Sequence, residues 1–185
     1  MQVKGTAVRT TRDFVKAKFP ENYDKWLASL TPESKKVFTS TVDATAWYPY
    51  KEGYSVPVDS IMKICYHGDI KTGGDELGSW SAETGLKGFY KVFLLIASPQ
   101  FLLQRASKIF TTFYEPSEIE ASIIGSNDAI LRIVKFDKID ESVEYRIAGW
   151  VRKALELANC NSPRYEIKKF LSKGDIATEI HFHWQ

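Results

Sequence analysis

The segment from Asp140 to Trp184 restricts the fold more than any other part of the chain, because a helix-period stripe runs directly into a strand-period hairpin. Between Asp140 and Asn159, the residues Val143, Ile147, Trp150, Val151, Ala154, Leu155 and Ala158 recur at three- and four-residue steps. That spacing lines them on one helical face, which needs cover. Tyr165 and Ile167 then alternate with charge, Lys173-Gly174-Asp175 supplies a turn, and Ile180, Phe182 and Trp184 alternate with Glu179, His181 and His183. A sheet with one apolar face is expected to close the molecule. No residue here has the spacing of a nucleophile, a phosphate loop or a closed metal site, so the segment speaks to architecture before chemistry.

Upstream, the pattern is mostly helical. Short helices are expected from Arg9 to Lys18, from Glu21 to Ser29, and after Thr31-Pro32-Glu33, where Thr31 can cap and Pro32 takes the first helical position. The aromatic stretch Trp47-Tyr48-Pro49-Tyr50-Lys51-Glu52-Gly53-Tyr54 breaks periodicity and reads as a loop that packs. Helices are expected from Pro57 to near Gly68 and from Gly73-Gly74-Asp75 onward. The small residues Gly78, Ala82, Gly85 and Gly88 in the second imply close approach of a neighbouring helix or a ligand. The apolar run Val92–Ala97 and the helix opened by Pro99 are expected to form the central core. Ile119, Ala121 and Ile123 alternate with polar residues, Gly125-Ser126-Asn127-Asp128 turns, and Ala129 to Phe136 returns as a strand. The fold class is therefore α+β: an N-terminal helical layer packed on a four-stranded antiparallel sheet made of two hairpins separated by a helix. With no repeat or linker, residues 1–185 read as one domain.

Composition narrows the function. The 44% hydrophobic content supports a sizeable core, and 25 basic against 23 acidic residues removes the field that would gather nucleic acid. Cys65 and Cys160 are the only cysteines; the count alone leaves a disulfide between them open, but reduced thiols are expected in a cytoplasmic protein. Neither a signal-peptide core nor an apolar run near the roughly 20 residues of a membrane span is present. P-loop, dinucleotide-fold, zinc-protease and hydrolase motifs are also missing.

Several short motifs carry a resemblance: Lys4-Gly5, Gly74-Asp75 with Leu77-Gly78, Pro99-Gln100-Phe101, Tyr114-Glu115-Pro116, Gly149 to Glu156, and Gly174-Asp175 leading to Phe182-His183-Trp184. With the element order, they make the chain similar to a group of α+β domains. The group includes haem nitric-oxide-binding domains, 4-vinyl-reductase sensor domains and Bet-type subunits of the TRAPP tethering complex; the chain most resembles an uncharacterised bacterial family of similar length. The resemblance implies a ligand pocket between helices and sheet, a signalling role and a homodimer. It also exposes departures. A haem domain of this kind uses an axial histidine on a helix before the sheet and a Tyr-x-Ser-x-Arg motif for the propionates. Here the helix from Pro99 to Phe113 has no histidine, and Leu131-Arg132-Ile133-Val134-Lys135 occupies the strand. The sensor domains' zinc site has Phe170 and Ala177 near its cysteine positions, with Glu166 as the remaining match. Cys65 is a weak counterpart of the acylated TRAPP cysteine.

The expected function is a non-enzymatic sensory or regulatory domain that binds a small hydrophobic or aromatic molecule without haem or other cofactor, and that signals to a protein partner. Candidate ligand-binding residues are Trp47, Tyr48, Tyr50, Tyr54, Trp80, Phe89, Phe101 and Phe110, since such pockets are built from aromatic side chains with a few polar groups. Core anchoring produces the same pattern. His181 and His183 project with Glu179 to one sheet face and could offer ligands to zinc, although a solvated polar face gives the same spacing. Cys65 and His67, two apart on a helix, point to different faces. The competing readings are a protein-interaction scaffold with a filled core, self-associating in one form, and an enzyme using Glu166, Asp175 or the C-terminal histidines.

Overall fold

The computed structural model describes residues 1–86 and 99–185. A short strand β1 (Gln2–Lys4) leads into helix α1 (Gly5–Lys18), a 3-10 turn (Pro20–Asn22), α2 (Tyr23–Ser29) and α3 (Pro32–Thr39). Thr31 caps α3 as its position predicts, its side chain accepting from Ser34 N–H, with Pro32 in the first turn. The aromatic stretch is not a loop. Trp47–Pro49 forms strand β2, and Lys51–Ser55 winds into a π-helical turn that runs into α4 (Val56–Cys65). The correction has a tertiary cause, because β2 exists only by pairing with β1, Tyr48 opposite Val3. At Gly53 the turn passes so close that a Cβ would meet Tyr48 Cβ at 3.2 Å.

Helix α5 (Ile70–Gly85) starts three residues earlier than Gly73, because the Asp69 side chain accepts from Thr72 N–H and caps it. The apolar run Val92–Ala97, Gly88 and Phe89 lie outside the described residues. Helices α6 (Pro99–Gln104) and α7 (Ala106–Thr111) then lead to β3 (Tyr114–Glu115), which pairs with β1. The β2-β1-β3 sheet thus ties the N-terminus to the chain's middle, a feature that no local pattern announced.

The two hairpins form as expected. Strands β4 (Ser117–Ile123) and β5 (Asp128–Phe136) make one, β6 (Arg164–Lys169) and β7 (Thr178–His183) the other, and α8 (Glu141–Leu157) lies between them in sequence. They join through β5 and β7, giving the order β4-β5-β7-β6, all antiparallel, with Leu131 and Ile167 flanking Ile180. Ile119, Leu131, Ile133, Ile180 and Phe182 are buried on the inner face, while Arg132, Glu179, His181 and His183 line the other.

Helices α5 and α8 cross at short range. A Cβ on Gly78 would overlap the Arg146 carbonyl oxygen, and one on Gly149 would sit 2.5 Å from that of Asp75. Arg152 spans the same crossing, donating from Nε and Nη2 to the Asp75 carboxylate at 2.9 and 2.7 Å. Among the described residues, no helix is long and apolar enough to cross a membrane.

Candidate functional site

Five buried rings from four elements meet where the helical layer adjoins the end of the large sheet. Tyr50 caps the π-helical turn and Tyr54 lies within it, Phe110 comes from α7, Tyr114 from β3 and Phe136 from the end of β5. Ring centroids lie 4.9 Å apart for Phe110–Tyr114, 5.3 Å for Tyr50–Phe136 and Tyr114–Phe136, and 5.6 Å for Tyr54–Tyr114. Asp140, at the N-terminus of α8, anchors the turn by accepting from Ser55 Oγ at 2.5 Å and Tyr50 Oη at 3.4 Å.

Arg146 of α8 lies at the polar end of this cluster and is 2% exposed. Its guanidinium carbon sits 4.3 Å from the centre of the Tyr54 ring. Nη1 donates to Thr11 Oγ1 at 2.8 Å; Nη2 donates to Ser81 Oγ at 3.0 Å, the Ala7 carbonyl at 3.2 Å and Thr10 Oγ1 at 3.3 Å. Every acceptor is neutral, and among the described residues no carboxylate pairs with Arg146. Residues 87–98 contain neither Asp nor Glu. Removing a lone cation from water costs several kcal/mol, which these charge-assisted bonds and the ring face offset in part. The Tyr54 and Tyr114 hydroxyl oxygens lie 2.6 Å apart. Burial raises both phenol pKa values, so both keep their protons.

Of the sequence-based candidates, the structure brings together Tyr50, Tyr54 and Phe110. Trp47 lies on β2 beneath Lys4 Nζ, 4.5 Å from its ring, and the Tyr48 hydroxyl accepts from Asp43 N–H at 2.8 Å. Trp80 lies on α5, 6.0 Å from the Phe14 ring, and its buried indole N–H has no acceptor among the described residues. Phe101 lies on α6 with the Arg105 guanidinium 4.4 Å from its ring, and Phe89 is outside the described residues. Sequence reasoning missed Tyr114, Phe136 and Arg146. For Arg146 a signal existed: it sits three residues after Val143 and four before Trp150, a charge on the buried stripe of an amphipathic helix.

His181, His183, Glu166, Asp175 and Glu144 have structural partners. His181 Nε2 and Glu179 are 2.9 Å apart, and His183 Nδ1 and Asp128 2.8 Å, along an open groove of about 410 Å³ on the outer sheet face. Glu166 pairs with Lys168 at 2.6 Å, and Asp175 accepts from Phe170 N–H at 2.7 Å within the final turn. No group of three His, Cys, Asp or Glu among the described residues is arranged to hold a metal. Both cysteines are free, and burial pushes the Cys160 thiol up to about 11. Glu144, fully buried on α8, accepts from the Ser172 and Thr178 hydroxyls; burial raises its carboxyl pKa against the lowering effect of those bonds.

No protein-family model matches the sequence, and no curated protein matches it. The fold does have solved counterparts. An H-NOX protein from S. oneidensis in the Fe(II)NO ligation state superposes with a TM-score of 0.75 at 12% identity, covering 98% of this chain and 99% of that one. A point mutant of the Fe(II) unliganded H-NOX protein from K. algicida gives 0.71 at 14% identity over 98% and 96%. A point mutant of T. tengcongensis H-NOX gives 0.66 at 10% over 98% and 97%. At such identity the likeness establishes an H-NOX-like fold.

Whether the chain could hold a histidine-ligated haem depends on its three histidines. His67 is exposed beyond the end of α4, at a φ of 52°. His181 and His183 lie on the outer face of β7, each held by a carboxylate. None faces the interior. On β5, Arg132 is turned toward Glu120 and Glu179 at 3.5 and 3.7 Å rather than toward the core. The residues present do not fit a histidine-ligated haem.

Proposed function

We propose that this chain is a non-enzymatic sensory or regulatory domain that binds a small hydrophobic or aromatic molecule between its helical layer and its four-stranded sheet, without haem, and passes occupancy to a protein partner. The observation that carries this reading is the junction of five buried rings with a guanidinium and a hydroxyl pair at one end, since small-molecule sites are mostly apolar walls with a few convergent polar groups. The fold supports it by analogy: the S. oneidensis structure of the same shape was solved with a small molecule, NO, on iron. The acids and histidines support the non-enzymatic reading, because their partners build turns and strand contacts rather than a nucleophile with its base.

One observation favours a second reading. The five rings touch one another directly, as they would in a scaffold with a filled core that works through its surface or by self-association. Against it, Ile124 and Ile176 are the large hydrophobic side chains exposed among the described residues, too few for an apolar docking patch. Native mass spectrometry of protein purified from its own host, followed by denaturing analysis of whatever leaves the chain, separates the two. The expected result is a small molecule at one per chain. A clean apo mass, with a melting temperature that host extracts do not shift, overturns the ligand reading in favour of the scaffold.

A further inference from the structure

Arg146 cannot relieve its burial by losing a proton, because a guanidinium stays charged in proteins. Its partners are three rotatable hydroxyls and one carbonyl, which solvate the charge without cancelling it. The neighbouring tyrosine pair is also incompletely bonded among the described residues. The Tyr54 and Tyr114 hydroxyls carry two protons, and the bond between them uses one; the other has no acceptor among the described residues. Among the described residues, a buried cation without an anion and a buried donor without an acceptor therefore share one end of an aromatic cluster. Both needs are met by a single carboxylate.

We propose that the interior site takes an apolar monocarboxylate, aliphatic or aryl, whose carboxylate pairs with the Arg146 guanidinium and accepts the spare Tyr54/Tyr114 proton while its hydrocarbon lies among Tyr50, Phe110 and Phe136. The proposal rests on the ligand-binding reading above and supplies its ligand class. One negative charge matches one buried cation. A phosphate, carrying more than one charge near neutrality, would bury the excess without a partner, and a neutral hydrophobe would leave Arg146 as it stands. Entry requires the touching rings to separate by rotamer changes.

The test uses the full chain with decanoate and phenylacetate as probes, and decanol and 2-phenylethanol as their neutral counterparts. The acids are expected to raise the melting temperature and the alcohols to bind at least tenfold more weakly. In a titration of carboxyl-13C decanoate, the bound acid is expected to stay ionised at a pH where the free acid is half protonated. Arg146→Gln is expected to lose at least tenfold in decanoate affinity, and Arg146→Lys to recover part of it. Should the glutamine variant fail to fold, the carboxyl-13C titration of the native chain still decides. Alcohols binding as tightly as acids, or a bound carboxyl that protonates no lower than the free one, overturn the carboxylate assignment and leave the ligand reading intact. Acids and alcohols that both fail to bind overturn it too, and the ligand reading then stands or falls on the host-purified mass.

Discussion

Glu144 and Arg146 are two residues apart on α8 and face opposite problems. Each is buried without an ion-pair partner among the described residues, Glu144 beneath the Leu171–Lys173 turn of the last hairpin and Arg146 against α1, α5 and Tyr54. The carboxyl can take up a proton and the guanidinium cannot. Burial, the largest influence on Glu144, raises its folded pKa above the ordinary 4.5, so the folded state binds the proton more tightly than the unfolded chain. Stability from this group is fully present below the unfolded pKa and is lost as pH rises through the folded one. Glu144→Gln keeps an acceptor for Ser172 and Thr178 and removes the charge. Denaturant titrations from pH 7 down to about 4.5 should show the native chain gaining stability relative to E144Q as pH falls. A constant difference across that range would mean that Glu144 titrates normally. Both residues were visible in the sequence as charges on or beside an apolar stripe. Their partners were not, because Thr11 lies 135 positions from Arg146.

Among elements, the α5–α8 crossing is the one most sensitive to a single carbon. Gly78 lets the backbones approach, and a methyl group there overlaps the Arg146 carbonyl oxygen, an atom that cannot move without moving α8. Gly78→Ala should cost at least the upper end of the roughly 1–3 kcal/mol typical of overpacking, a fall in melting temperature of roughly 6–12 °C. Gly85, on the same helix, has nothing among the described residues within 4 Å of the equivalent position. Gly85→Ala should leave stability unchanged or raise it by up to about 1 kcal/mol. Equal effects in thermal melts would refute the assignment of Gly78 to the crossing. The sequence pattern raised close helix packing for both glycines, and only the fold distinguishes the one that packs from the one that does not. The same limit explains β2 and β3. A two- or three-residue strand has too few side chains to show alternation, and it forms because β1 lies beside it.

For the whole molecule, the H-NOX-like fold and the interior residues point in different directions on haem. The fold has counterparts solved with iron, while the three histidines of this chain lie outside its core. Adding hemin to the purified protein should therefore give no saturable Soret shift of the histidine-ligated type, and host-purified protein should be colourless. A stoichiometric haem spectrum would overturn the haem-free reading and place the iron on an oxygen or sulfur ligand. Much of the architecture was determined by the sequence alone. The stripe from Val143 to Ala158, the two alternating hairpins and the Thr31 cap follow from periodicities and local hydrogen bonds that need no distant partner. Tertiary structure decided what the sequence could not: the joining of the hairpins through β5 and β7, the early strands' sheet, and the convergence of Tyr50, Tyr54, Phe110, Tyr114, Phe136 and Arg146. These features depend on contacts between residues far apart in the chain. Periodicity records which face of an element is buried, but not what that face touches.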